Sequence, residues 1–322
     1  MYWKMQLKKA EFMNRQDKIY VAGHTGLVGS GIVNELKRQG YTNLVLYTHD
    51  QLDLTDQRAV ETFFDREKPD YVIVAAGLVG GIRANSERPA DFYYVNMQIA
   101  NNIIWSSFKS KVKKLLYLGS ACMYPRECEQ PMREEMVLSG YPEATNEGYA
   151  LAKIGGARLC SYLCRQYGID YISAIPANAY GIGDCFDPDK SHVIPALIMK
   201  YQKAKECGDD KVVLWGTGSA KREFINTKDI ASASIFLMNH YSGDEPVNVG
   251  TGEEVSIKEL SETIKEVVGF DGRIECDISK PDGMPRRILD SSKIHTLGWK
   301  ATVSLREGLE ELYKDYMKSK GE

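Results

Sequence analysis

Short apolar runs alternate along this chain with longer stretches whose apolar positions recur every three or four residues. The runs are 18–22, 43–47, 71–75, 114–119 and 170–175. The periodic stretches are 27–39, 56–66, 91–109 and 146–167. Continuous apolar runs predict strands buried on both faces, and the helical period predicts helices packed against them. Regular alternation of the two predicts an α/β fold, a doubly wound parallel sheet. Asn248-Val249-Gly250 reads as a later strand that brings the chain back to this sheet. After residue 176 the pattern is irregular, broken at Gly181-Ile182-Gly183-Asp184 and at Trp215-Gly216-Thr217-Gly218. Residues 1–17 read as a tail, with Met13 a candidate natural start.

The first strand runs into Gly23-His24-Thr25-Gly26-Leu27-Val28-Gly29, and a helix pattern follows through Ile32, Val33 and Leu36. Strand, glycine turn and helix is the Rossmann context for a dinucleotide. The glycines allow a tight turn and close backbone approach. The helix N-terminus offers N–H groups and a positive dipole end to a pyrophosphate. At the end of the second strand an acid would take the ribose hydroxyls of NAD. Here the strand ends Tyr47-Thr48-His49, with Asp50 and Asp53 arriving late. That predicts NADP(H), with His49 facing the extra phosphate and Asp53-Leu54 on the adenine side. The expected division is a dinucleotide-binding domain over 18–175, rejoined by the chain near 222–250. A smaller substrate domain over 176–322 would lie across the carboxyl ends of the strands.

Two further segments carry candidate chemistry. Ser120-Ala121-Cys122-Met123-Tyr124-Pro125 follows the fourth apolar run, and Tyr149-Ala150-Leu151-Ala152-Lys153 opens a helix. Residues four apart on a helix share a face. The Lys153 ammonium is expected to favour the phenolate and lower the Tyr149 pKa. With the Ser120 hydroxyl, this set suits proton transfer to an oxygen whose carbon gains or loses hydride. Cys122 is a candidate second acid or base, against the blander reading of a small buried residue. The same spacing at Tyr201/Lys205 and Tyr316/Lys320 reads as ordinary helical surface.

Composition narrows the class. The 322 residues are 43% hydrophobic with a formal net charge of −3, so neither a nucleic-acid nor a membrane surface is implied. No apolar run approaches the roughly 20 residues of a membrane span. Seven cysteines without a ladder of pairs predict free thiols in a reducing, cytoplasmic setting. With five histidines, and Cys160/Cys164 lacking a matching pair, no metal site is expected.

Together these segments resemble the extended short-chain dehydrogenase/reductases that modify nucleotide sugars. The resemblance runs from Lys18 onward. It is carried by the glycine motif, Val79-Gly80-Gly81-Ile82, Pro89-Ala90-Asp91-Phe92 and Asn146-Glu147-x-Tyr149-Ala150. It is carried further by Ser191-His192-Val193-Ile194-Pro195-Ala196-Leu197 and Lys280-Pro281-Asp282-Gly283-x-Pro285-Arg286-Arg287. The resemblance implies a homodimer that turns GDP-4-keto-6-deoxy-D-mannose into GDP-L-fucose. The reaction epimerises sugar carbons 3 and 5 and then reduces carbon 4 with NADPH. It implies Ser120, Tyr149 and Lys153 at the carbonyl, and Cys122 and His192 as the epimerising pair. It implies cofactor contacts at residues 23–29, His49, Asp50, Asp53, Leu54, Leu118, Gly119, Tyr149, Lys153, Pro176, Ala177, Asn178, Ala179 and His192. Lys200, Trp215, Arg222 and Asp282 are implied to hold the nucleotide sugar, with Arg222 suited to a diphosphate. Rival readings are a reductase or epimerase on another nucleotide sugar, such as a GDP-6-deoxy-heptose, and a non-catalytic cofactor-binding regulator.

Overall fold

The computed structural model describes residues 12–188, 191–280 and 282–321. Most of the expected N-terminal tail, and Pro281 of the late motif, lie outside those residues. The first half runs β1 (Ile19–Ala22), α1 (Leu27–Arg38), β2 (Leu44–Val45), α2 (Gln57–Glu67), β3 (Tyr71–Val74), α3 (Ile82–Glu87), α4 (Pro89–Lys109), β4 (Lys114–Leu118), α5 (Glu147–Tyr167) and β5 (Asp170–Pro176). The second half runs β6 (Asn178–Tyr180), α6 (Val193–Cys207), β7 (Lys211–Trp215), β8 (Lys221–Arg222), β9 (Phe224–Asn226), α7 (Thr227–His240) and β10 (Val247–Val249). It ends with β11 (Val255–Ser256), α8 (Ile257–Val268), β12 (Arg273–Asp277), β13 (Arg286–Arg287), α9 (Ser292–Leu297) and α10 (Leu305–Lys320).

Six strands form one parallel sheet in the order β10-β5-β4-β3-β1-β2. Every residue of β1, β3 and β4 is buried, as an apolar run covered by helices on both faces requires. From β1 the chain moves outward to β2, then crosses back to β3 on the other side. This reversal opens a crevice at the carboxyl ends of β1 and β3, the place where doubly wound sheets take ligands. The later strand at Asn248 does join the sheet, pairing with β5.

A second apolar core lies among α6, α8 and α10, built from Ile198, Tyr201, Leu260, Ile264, Leu309 and Leu312. Two expectations are corrected here. Tyr201 is not helical surface: it is fully buried, its hydroxyl meets Ser261, and Lys205 donates to the Val268 carbonyl at 2.7 Å. The described end of the tail is not loose either. Met13 is buried, its N–H donates to Asn239 Oδ1 at 2.8 Å, and Phe12 packs edge-on to His240 on α7.

Candidate active site

Gly23, at the carboxyl end of β1, has φ +80°, and an added Cβ there would lie 2.6 Å from backbone atoms of Ala76 beyond β3. A Cβ on Gly29 would come within 2.0 Å of the Gly23 carbonyl oxygen. Both positions therefore need glycine, one for its dihedral and both for close packing of turn, strand and helix. Gly26 is the N-cap of α1, and no side chain caps that end. The first-turn N–H groups are thus left for a ligand. His24 Nδ1 is buried without a hydrogen-bond partner, and burial lowers the imidazole pKa. An uncapped helix start with an orphaned nitrogen beside it fits a dinucleotide pyrophosphate.

Farther along the crevice, β2 closes on Val45, and His49, Asp50 and Asp53 are all exposed. The Asp53 carboxylate accepts from the Thr55 amide at 2.9 Å and the Thr55 hydroxyl at 2.7 Å. Those bonds hold its pKa down, with a smaller contribution from His49. Asp53 therefore shapes the turn into α2, and its other neighbour Leu54 lends a carbonyl to Asn102 at 3.0 Å. Thr25 is exposed, while Leu27 and Val28 are half-buried. On the opposite side Ala177 and Asn178 sit where β5 gives way to β6. The Ala177 amide donates to Val249 at 2.9 Å, and Asn178 Nδ2 donates to the Glu223 carbonyl at 2.8 Å. Pro176 is buried and Ala179 half-buried beside them.

The proton-transfer candidates converge at the end of β4. Leu118 and Gly119 lead into Ser120, which caps a single 3₁₀ turn over Ala121–Met123, its hydroxyl accepting from the Cys122 amide at 3.4 Å. Helix α5 brings Tyr149 and Lys153 against this turn. Lys153 Nζ donates to the Leu118 carbonyl at 3.0 Å and lies 5.0 Å from the Tyr117 ring centre and 5.8 Å from that of Tyr149. Lys153 is buried, whereas Tyr149, Ser120 and Cys122 each keep part of their surface open.

The electrostatics correct one expectation. Burial pushes the Tyr149 phenol above its ordinary value, the Cys122 thiol adds to the rise, and the Ser120 hydroxyl opposes it. Burial pulls Lys153 down to about 8. The expected lowering of the tyrosine is absent because desolvation dominates, and the Lys153 ammonium is turned onto the Leu118 carbonyl. At neutral pH the phenol keeps its proton, the state a donor requires. Burial also raises the Cys122 thiol, against the opposing pull of Ser120, Arg287 and Lys153.

The remaining candidates stand on the second core. His192 is exposed at the N-cap of α6. The sequence reading missed its neighbour Asp184, whose carboxyl is raised by burial, with the Cys185 amide and His192 opposing the rise. One Asp184 oxygen is buried without a partner. Lys200, exposed on α6, donates to the Val213 carbonyl. Trp215 is 73% exposed, with Lys280 5.9 Å above its ring. Asp282 accepts from the Thr217 amide and hydroxyl, both at 2.8 Å, so it ties the 216–218 turn to the late motif. Arg222 does not pair with Glu223. Its Nη1 donates to the carbonyls of Lys221 at 2.8 Å and Met284 at 2.6 Å. Glu223 is buried on the other side, accepting from Gly252 and Leu289 amides at 2.8 Å each.

A model of the NAD dependent epimerase/dehydratase family matches residues 19–250. The chain is 53% identical to GDP-L-fucose synthase 1 of Arabidopsis thaliana, over 95% of each chain. A GDP-L-fucose synthetase of Naegleria fowleri, solved bound to NADP, superposes with a TM-score of 0.91 at 27% identity, over 99% of each chain. A GDP-6-OMe-4-keto-L-xylo-heptose reductase of C. jejuni superposes with a TM-score of 0.90 at 37% identity, over 96% of this chain and all of the other. With its parallel sheet, uncapped glycine turn and Ser120–Tyr149–Lys153 cluster, the chain belongs to the NAD dependent epimerase/dehydratase family.

Proposed function

We propose that this protein is an NADPH-dependent epimerase-reductase that converts GDP-4-keto-6-deoxy-D-mannose to GDP-L-fucose. The observation that carries the reading is the Cys122 thiol on the same short turn as Ser120, against Tyr149 and Lys153. A plain reductase has no use for a second acid/base group there.

The chemistry divides in two. A ketone at carbon 4 acidifies the protons on carbons 3 and 5. Inverting each centre takes a base on one face and an acid on the other, and Cys122 and His192 share that work. Ser120 and Tyr149 hold the carbonyl oxygen as it gains enolate character. With NADPH held in the crevice, hydride would be available to carbon 4, and Tyr149 would give its proton to the oxygen. Lys153 lies under the phenol and lessens the cost of the phenolate left behind. One oxyanion site thus serves both stages. Residues 23–29 hold the pyrophosphate, and the lack of an acid at 46–49 favours the 2′-phosphate form of the cofactor. Leu118, Gly119 and residues 176–179 line the nicotinamide side.

The six-stranded portion with α7 and β10 is the cofactor domain, and the α6–α8–α10 core carries the sugar-nucleotide contacts. There Lys200, Trp215, Arg222 and Asp282 take the GDP moiety. Helices α4 and α5 pack together and expose Tyr94, Trp105, Leu151 and Tyr162, an apolar face suited to a second copy across a two-fold axis. Seven free thiols suit a reducing cytoplasm, and no helix among the described residues is long and apolar enough to cross a membrane.

The test is product analysis by NMR after incubation with NADPH and GDP-4-keto-6-deoxy-D-mannose. GDP-L-fucose is expected. A 4-reduced sugar with unchanged carbons 3 and 5 would point instead to a plain reductase, and no turnover would remove the assignment.

A further inference from the structure

Arg287 belongs to the late motif, and no role in the reaction above falls to it. It sits on β13, in register with Arg222 on the parallel strand β8. Its backbone is pinned on the C-terminal side: the Ile288 amide donates to Gln130 Oε1 at 2.9 Å, and the Leu289 amide to Glu223 Oε2 at 2.8 Å. From this fixed base Arg287 reaches across to the Ser120 turn, where its Nη2 donates to the Ala121 carbonyl at 2.7 Å. Its Nη1, among the described residues, meets only the Met284 sulfur, at 3.6 Å. Among the described residues no carboxylate lies within ion-pair distance of it. The acid whose field it feels, Glu143, pairs with Arg126 at 3.5 Å. A half-buried guanidinium beside another guanidinium, with no anion of its own, carries an uncompensated positive field. The group that gains from that field is the thiol one residue beyond the carbonyl it holds.

We propose that Arg287 is a positioning residue for Cys122: it fixes the Ala121–Cys122 turn and stabilises the thiolate that forms whenever the cysteine gives up its proton. This rests on the reading of Cys122 as an acid/base group. The thiol is faced by the Ser120 hydroxyl, Arg287, Lys153 and the phenols of Tyr149 and Tyr117. Of these only Arg287 and Lys153 are cations, and Lys153 is turned to the Leu118 carbonyl. Arg287 is faced in turn by Arg222, Glu143, Cys122 and Cys128. It also ties the β8–β13 strand pair to the turn at the end of β4, so the acid/base group is set in place from two sides.

The test reads the thiol itself. Alkylation of Cys122 by iodoacetamide is followed by peptide mass spectrometry from pH 6.5 to 10 in wild type, Arg287→Gln, Arg287→Met and Arg287→Lys. The glutamine keeps a hydrogen-bond donor without the charge. We expect Arg287→Gln and Arg287→Met to move the profile up by about one pH unit, so that the rate at pH 7.5 falls roughly tenfold. Arg287→Lys should stay within about threefold of wild type, as one charge replaces another. Exchange of the carbon-3 and carbon-5 protons with deuterated water should fall in Arg287→Gln at pH 7, and the defect should narrow only towards about pH 10, as pH passes the raised thiol pKa of the wild type. A profile unmoved in Arg287→Gln overturns the inference. So does an exchange defect that is the same at every pH, or a loss of GDP affinity with no change in the thiol. Wild-type exchange in Cys122→Ser would instead overturn the reading beneath it, and the alkylation profile distinguishes the two failures.

Discussion

The two sides of the site are built differently. Ser120, Cys122, Tyr149 and Lys153 stand on the end of a buried strand and on a helix packed against it, and the Lys153 ammonium is buried. Trp215 ends the strand β7 just before the 216–218 glycine turn, Arg222 stands on a two-residue strand and Asp282 on a loop, and Trp215 is largely open. On the first side burial shifts the pKa values of Tyr149, Lys153 and Cys122. On the second side side chains tie loops to one another, as Asp282 does to Thr217, and the surface is more open. Changes on the first side should therefore alter chemistry, and changes on the second should alter affinity.

The largest effect is expected for Tyr149→Phe. Removing the donor without the ring should lower the rate of NADPH oxidation by about 10³-fold, while cofactor binding, read by fluorescence titration, stays near wild type. Turnover within tenfold of wild type would mean that another acid serves the carbonyl.

Gly29→Ala should come next. A methyl group 2.0 Å from the Gly23 carbonyl oxygen cannot fit without backbone movement. We expect a loss of about 1–3 kcal/mol in unfolding free energy, together with weaker NADPH binding. Full stability with full affinity would show that the turn can open to admit the methyl group.

Lys153 gives a pH signature. Its folded pKa of about 8 lies below the ordinary 10.5, so between those values the unfolded chain binds more protons than the folded one. Stability from this group therefore rises with pH across that window, and the penalty of the buried ammonium is fully present below pH 8. Relative to Lys153→Met, wild type should gain about 2 kcal/mol between pH 7.5 and 9.5 in denaturant titrations. A constant difference would show that the ammonium is well solvated.

The smallest effect on the fold belongs to Trp215→Ala. Its unfolding free energy should stay within about 0.5 kcal/mol of wild type, while KM for the GDP-sugar rises about tenfold through loss of an aromatic contact. A large drop in stability would contradict the division between a structural and a ligand-facing side.

The same division explains what the sequence disclosed. The sheet strands and α1, α2, α4 and α5 were readable to within a few residues, because continuous apolar runs and helical periods report burial directly. Ser120, Tyr149 and Lys153 were readable as a cluster because the strand-turn-helix order fixes their approach. Helices α8 and α10 were passed over, although Ser256/Glu259 and Ser304/Glu307 form capping boxes that mark their starts. Arg287 lies in the late motif, but its contact with Ala121 is set by tertiary packing across 166 residues. Asp184 stands in a loop segment whose burial, not its sequence, makes its carboxyl unusual. The Tyr149 pKa was misjudged for a related reason: helical spacing reveals that a lysine is near, but not that both groups lose their water.

The central claim is that the thiol on the Ser120 turn makes this site an epimerase as well as a reductase. Its most direct measurement is deuterium incorporation at sugar carbons 3 and 5, followed by NMR without NADPH and then with it, in wild type and Cys122→Ser. The account predicts that wild type exchanges both protons. It predicts that the serine variant slows exchange by about 10²-fold, still binds NADPH normally, and yields little or no GDP-L-fucose. Exchange of both protons at the wild-type rate in the Cys122→Ser enzyme would make the cysteine structural and contradict the account.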